Sequence, residues 1–265
     1  MSPHAADQIE LQDAADRLAV HYQTAYRWVR TGRLPAQLVN GRYLIAVDAL
    51  EAVARQRRAP SRPTVPSAAR LERQARRVYD ALIEGDEASV RAIARGLVGN
   101  GTRLVELVQT VFVPALRWIG QAWHDGELTI WVEHRASAIV ERTLGELSPN
   151  PRGRRRGVAM VSAVSGDRHS LPTTMAAVVL RDANWQVHHL GADMPGDELV
   201  RFCAEHDIDV AVISLTNPAV ADLATATAER IRSSGTPVIL GGPGRTLDDL
   251  VAAAKAAGQA RDRSE

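Results

Sequence analysis

The stretch VAMVSAVSGDRHSLPTTMAAVVL, residues 158–180, sets a seven-residue apolar run, a polar loop and a helix-spaced apolar segment end to end. So short a run, bounded by turn residues and built from Val, Ala and Met, predicts a strand buried on both faces. The alternation continues downstream. WQVHHLG (185–191), VAVISLT (210–216) and PVILGG (237–242) are predicted strands, with helices near 172–183, 196–205, 219–234 and 246–257. Strands separated by amphipathic helices imply right-handed βαβ units and a parallel sheet covered on both sides. No fifth strand is legible in AGQARDRSE (257–265), so one sheet edge is expected to be short.

Open sheets of this kind bind ligands beyond the carboxyl ends of their strands. Asp167 and His169 fall in the loop after the first strand, Ser214 and Thr216 at the end of the third, and Gly241 and Gly242 after the fourth. Each alone is a weak signal. A single histidine in such a loop is usually a hydrogen-bonded surface residue, and a Gly pair after a strand is usually a turn. His188 and His189 are adjacent in the second strand and point to opposite faces; both read as surface or strand-end residues.

Upstream, residues 69–147 are rich in Ala, Leu, Val and Arg at helical spacing, with helices near 69–84, 87–98, 102–124 and 129–147. Glycine joints at Gly85, Gly99, Gly101 and Gly126 separate them, and Pro114 is expected to kink the third. Trp118 and Trp131 read as bundle core. RAPSRPTVPSA (58–68) carries three prolines and reads as a semi-rigid linker. SPNPRGRRRG (148–157) reads as a solvated hinge, with a nucleic-acid contact as the alternative for its arginines.

The N-terminal segment has a different pattern. DAADRLA (13–19) and QTAYRWVRTG (23–32) are two short helices joined by a turn, with Leu18, Val20, Ala25, Trp28 and Val29 as their shared core. Asn40-Gly41 then marks a type I′ hairpin between two apolar runs, and Asp48 is the expected N-cap of a third helix. Gln23, Thr24 and Arg27 lie where a second helix reads base edges, and Arg30, Arg33 and Arg42 are placed for phosphates. One such module buries only roughly 600–1,000 Å² on DNA, so useful affinity implies self-association.

A chain of 265 residues with 45% hydrophobic content suits two or three modules. The formal net charge of +1 assigns the chain as a whole no strongly charged partner. Cys203 is the only cysteine, which excludes an internal disulfide framework and fits a reducing cytoplasm. No signal pattern and no apolar run of about 18 residues is present, so neither export nor a membrane span is expected.

The N-terminal segment resembles the winged helices of the MerR and excisionase families. The C-terminal motifs, Asp167-x-His169, Ser214-Leu215-Thr216 and Gly241-Gly242, resemble the vitamin B12-binding fold, whose signature is DxHxxG, then SxL or SxT, then GG. Pro172 stands where that signature ends in Gly. The resemblance implies a cobalamin with its own benzimidazole displaced, His169 as the lower axial cobalt ligand and Asp167 hydrogen-bonded to the other ring nitrogen. Ser214 and Thr216 would meet the nucleotide tail, with Gly241 and Gly242 letting the backbone approach it.

The complete order resembles the CarH-type cobalamin-dependent photoreceptor regulators, whose bundle signature is Trp, nine residues, then Glu-His. Trp123, Glu133 and His134 match it, His124 follows the tryptophan, and Arg135 falls where a second His is common. The fold class is accordingly multidomain. It comprises an α winged helix-turn-helix (8–58), a linker (59–68), a four-helix bundle cap (69–148), a linker (149–156) and an α/β Rossmann-like, flavodoxin-like B12-binding domain (157–258). The resemblance implies adenosylcobalamin between bundle and sheet, with Trp123 packed on the adenosyl group and Glu133 accepting from its hydroxyls. His134 would pair with the corrin periphery or a neighbouring subunit, and His124 would become an upper cobalt ligand after light. It implies a non-enzymatic repressor that binds a double-stranded DNA operator as a dimer or tetramer in the dark and releases it in light. A light-independent cobalamin-sensing regulator and a corrinoid methyl carrier remain alternatives.

Overall fold

The computed structural model describes residues 8–18, 20, 22–30, 32, 34–58, 68–148, 150–151 and 155–261. Arg33 and most of the first linker, 59–67, lie outside the described residues, as do the side chains of Gln23, Thr24 and Arg27. Residues 1–64 and 65–265 form two compact units.

In the first unit β1 (Gln8–Glu10) leads into α1 (Leu11–Arg17) and α2 (Tyr22–Arg30), followed by β2 (Gln37–Val39), β3 (Arg42–Ala46) and α3 (Val47–Arg58). β2 and β3 form the expected hairpin, with Val39 opposite Arg42 and positive φ at both Asn40 (49°) and Gly41 (78°), as a type I′ turn demands. β1 adds a third antiparallel strand on the other side of β3 that the sequence pattern did not suggest. Leu18, Ala25 and Trp28 are buried together with Leu11, Leu34 and Ile45, while Val20 and Val29 pack at the edge. Asp48 is not the N-cap of α3. The strand runs straight into the helix at Val47, and Asp48 sits in the first turn, where a carboxylate complements the helix dipole.

The second unit begins with α4 (Ala68–Glu84), α5 (Glu87–Gly99), α6 (Leu104–Leu107), a π turn (Val108–Phe112), α7 (Val113–His124) and α8 (Ile130–Leu147). At Pro114 the structure shows a change of helix type. The proline cannot donate an i−4 bond, and the turn ahead of it relaxes to π geometry, in which Val113 N–H reaches Val108 O. Trp118 is half-buried, edge-on to Tyr79, with Arg76 stacked 3.8 Å above its ring. Trp131 departs from the core reading: it is 59% exposed on α8, with only the Arg135 guanidinium over it at 5.0 Å.

The remaining elements are β4 (Val158–Val164), α9 (Ser170–Asp182), β5 (Gln186–Met194), α10 (Gly196–Glu205), β6 (Val210–Ser214), α11 (Ala221–Ser233), β7 (Val238–Leu240) and α12 (Leu247–Arg261). All pairings are parallel, in the order β5-β4-β6-β7, and β7 is a three-residue edge. Alternate residues of β4 divide between two cores. Met160 and Val164 pack with Leu199, Cys203 and Ile231 toward α10 and α11. Ala159 and Val161 pack toward α9 and α12 in a core continuous with the bundle. α9 is therefore covered on both sides, which is why Thr173 to Leu180 are all buried and its apolar residues go all the way round. Burial pushes the Cys203 thiol up to about 11, leaving it a packing residue.

Candidate functional site

The loop after β4 is organised around one carboxylate. Asp167 is fully buried. Its Oδ1 accepts from the His169 ring Nδ1 at 2.7 Å, and its Oδ2 accepts from Thr216 N–H at 2.6 Å and Asn217 N–H at 3.1 Å. Burial by itself would raise the Asp167 pKa. The Thr216 N–H, the His169 ring and the Asn217 N–H overcome it and hold the carboxyl below its usual range. His169 stands at the N-cap position of α9 with its side chain 57% exposed, so the bond to Asp167 orients an imidazole whose other nitrogen is left for a ligand. The residue pair the sequence singled out is thus joined to Thr216, from the end of a different strand. His189 departs from the surface reading. It lies on the face toward α9, where Thr173 Oγ1 donates to Ser170 O and accepts from His189 Nε2 at 2.8 Å. His188 faces the other way, toward Phe202 and His206.

Beside this loop is a cavity of about 340 Å³ between α9, β6, β7 and α12. Met175, Ala176, Val212 and Ile239 make its walls apolar, and Ser214, Thr216 and Thr246 supply polar atoms at its rim. Gly241 and Gly242 border it. A Cβ on Gly241 would come into van der Waals contact with Ile213 O at 3.4 Å, and Gly242 has φ +144°, a backbone state that favours glycine. Pro172 also lines the cavity, seated in the first turn of α9 where its missing N–H costs no helix bond.

The bundle corner carries the other candidates. Trp123 is 45% exposed at the end of α7, and His124, also exposed, is the last residue of that helix. Glu133 lies in the first turn of α8, accepting from His134 Nδ1 (2.6 Å) and from Ser137 Oγ (2.9 Å). Among the described residues no hydrogen bond or ion pair joins this corner to the Asp167 loop. Two other contacts fix its direction. Thr174 Oγ1 donates to Glu141 Oε1 at 2.9 Å, and Ser148 Oγ donates to Val178 O at 3.1 Å. Both helices advance in the same sense, so the first turn of α8 projects toward the end of α9 that His169 caps. Glu133 precedes Glu141 by roughly 12 Å of helix, and His169 precedes Thr174 by roughly 7 Å. Arg135 lies over the Trp131 ring and also reaches back across the bundle. Its Nη2 donates to Ile83 O at 2.7 Å beneath Gly85, bracing the α4–α5 turn.

In the first unit, Arg30 is exposed on α2, and Arg42 is exposed but paired with Glu10 at 2.5 Å. Sequence reading passed over Tyr22 and Tyr26. They are exposed and stacked with ring centres 6.5 Å apart, and Tyr43 of β3 meets Tyr26 edge-on at 5.9 Å. Their i, i+4 spacing on a polar helix was the available signal.

Comparison with known proteins brings these regions together. Residues 10–58 match a helix-turn-helix domain family, and residues 74–148 and 157–263 match two families each described as a B12 binding domain. The HTH-type transcriptional repressor CarA of Myxococcus xanthus is 30% identical over 73% of this chain and 65% of its own length. The chain is thus similar to this repressor and combines a helix-turn-helix domain with two B12 binding domains. A corrinoid protein of Desulfitobacterium hafniense is 25% identical over 49% of this chain and 63% of its own length. The chain thus spans somewhat less than two thirds of the length of these curated relatives. The monomethylamine corrinoid protein of Methanosarcina barkeri shares the fold, with a TM-score of 0.53 and 14% identity over 71% of this chain and 97% of that one.

The residues of this chain suit a corrinoid. An oriented, half-exposed imidazole, a largely apolar cavity beside it and a glycine-bordered rim provide a metal ligand, a slot for a flat heterocycle and room for a close-lying backbone. Among the described residues no helix is long and apolar enough to cross a membrane.

Proposed function

We propose that this chain is a cytoplasmic transcriptional repressor that holds adenosylcobalamin between a bundle (69–148) and a sheet domain (157–258). Through its winged helix (8–58) it binds a double-stranded operator as a dimer or tetramer in the dark, and its role is regulatory rather than enzymatic. The observation that supports this reading is the shared direction of α8 and α9, so that the turn of α8 carrying Glu133 and His134 lies toward the same end of α9 as His169. Bound adenosylcobalamin supplies a cobalt–carbon bond that light can break. His169 would supply the protein's imidazole ligand to the metal, Asp167 would fix that ring's orientation through Nδ1, and Ser214, Thr216, Gly241 and Gly242 would border the nucleotide tail. Trp123 offers an exposed indole to the adenosyl group, Glu133 an acceptor for its hydroxyls, and His134 a donor at the rim. His124 is the exposed bundle imidazole closest in sequence to Trp123 and would be available as a second metal ligand once the adenosyl group is lost.

On DNA, Gln23, Thr24 and Arg27 read base edges, and Arg30, Arg33 and Arg42 contact phosphates; Arg42 must first leave Glu10. Moving a two-state equilibrium from 1:99 to 99:1 takes about 5.5 kcal/mol of differential binding between its states. Losing one module of a multivalent binder costs factors of ~10² in avidity, which suffices for release.

The test is to load the protein with adenosylcobalamin in the dark and follow absorbance, molecular size and operator binding across a green-light pulse. The reading expects a spectral change, a smaller assembly and loss of DNA together. Light-independent DNA binding that still responds to cobalamin would identify a cobalamin sensor instead. Absence of corrinoid binding would sink both.

A further inference from the structure

One bundle side chain outside the proposed cofactor set is bound at both ends of its amide to the wall of the tail cavity. Gln109, within the π turn, accepts from Leu247 N–H through Oε1 at 3.1 Å and donates through Nε2 to Asp248 Oδ2 at 2.6 Å. Arg103 stands 3.8 Å from the other Asp248 oxygen. Leu247 and Asp248 open α12, and Leu247, Leu250 and Ala253 line the cavity from that helix. One bundle residue, Val113, whose N–H closes the π turn, lines it as well.

This arrangement is unusual for a helix start. The first N–H groups of a helix need acceptors from outside their own ladder. Thr246 and Asp249 satisfy each other in a local capping box. The Leu247 N–H is satisfied instead by a residue 138 positions earlier, in a different part of the unit. α12 packs on α9, β6 and β7, and β7 is a three-residue edge. To that packing the bundle adds the two Gln109 hydrogen bonds at the start of α12, so it shares in setting where this wall stands.

We propose that Gln109 is a positioning residue that latches the α12 wall of the nucleotide-tail cavity to the bundle. Filling the cavity and placing the bundle are then coupled, and the coupling is reciprocal. The inference rests on the cobalamin reading above. It treats the π turn as the part that presents Gln109, consistent with the frequent use of such turns at functional sites.

The test compares two corrinoids, hydroxocobalamin, which carries the nucleotide tail, and cobinamide, the same ring without it. Gln109→Ala should weaken hydroxocobalamin binding by about 5-fold or more, the low end of typical coupling, while leaving cobinamide affinity within about 2-fold. Gln109→Glu should lose affinity for hydroxocobalamin similarly, because its carboxylate meets Asp248. The double change Gln109→Glu with Asp248→Asn should restore it by reversing the polarity of the bond. An equal loss for both probes, unchanged affinity for both, or no rescue in the double variant would overturn the latch. If the unaltered protein takes neither corrinoid, the cobalamin reading itself fails, a result distinct from any of these.

Discussion

The loop at Asp167 and the corner at Trp123 are proposed as two walls of one site, yet they are built to opposite rules. Asp167 is buried and accepts from a ring, two neighbouring-strand amides and the His169 amide, so the imidazole is held before any ligand arrives. At the corner, Trp123, Ile130 and Trp131 are exposed, and Glu133 spends its acceptors on its own helix neighbours. The lower wall is preorganised by tertiary hydrogen bonds; the upper wall is apolar surface awaiting a cover. Removing the buried Asp167 acceptor should therefore act on stability and affinity together, whereas changes at the exposed His169 imidazole or at the bundle corner should act on affinity alone.

The largest effect is expected from His169→Ala, which removes the proposed metal ligand. Corrinoid affinity should fall by on the order of 100-fold or more, the upper end of what partners of ligating residues cost, with fold stability little changed. Isothermal titration with a parallel thermal melt checks both. Asp167→Asn should cost about 10–100-fold in affinity, and on the order of 1–3 kcal/mol of stability because an amide cannot accept from every donor around it. Chemical denaturation measures the second figure. If the variant is as stable as the parent, the loop is not the rigid wall described.

The same comparison has a pH signature. The Asp167 pKa is lowered in the folded protein, so its contribution is complete above the ordinary carboxylate range and is lost as pH falls through the lowered value. The stability gap between parent and Asp167→Asn should shrink on acidification. Glu87, drawn down to about 2 chiefly by Arg142, with Arg91 assisting against burial, loses its contribution over the same direction of pH. Unfolding curves of parent and variant at pH 7 and pH 3 separate the two carboxylates.

Trp123→Ala should be milder. An exposed side chain contributes within about ±0.5 kcal/mol to stability, so the melt should not move. The preference for adenosylcobalamin over hydroxocobalamin should narrow; an unchanged preference would remove Trp123 from the upper wall. The smallest effect concerns DNA. Arg30→Ala should weaken binding and lower the salt slope by about 1, whereas Tyr26→Ala should weaken binding without changing the slope. Fluorescence anisotropy over a salt series distinguishes them.

Much of this was legible from residue order. The strand–loop–helix of 158–180, the Asn40-Gly41 hairpin and the glycine joints of the bundle rest on local physics: periodicity, turn sterics and the rarity of glycine inside helices. Asp167, His169 and the Gly241-Gly242 pair were visible because an open parallel sheet gathers its loops at one end. What residue order did not reveal depends on packing between elements distant in sequence. β1 pairs with a strand that follows two helices, Trp131 turns outward, His189 turns in under α9, and Arg135 props a turn some fifty residues earlier. Gln109 is the clearest case. In sequence it is one polar residue in an apolar helix, and only the approach of α12 gives its amide two partners. Sequence alone determined the elements and the chemistry at the sheet's ligand end, because those follow from short-range sterics and burial. The tertiary structure decided which exposed groups share one end of α9 and which side chain ties the bundle to the cavity wall, because those follow from helix direction and from satisfying buried or helix-end polar groups across the core.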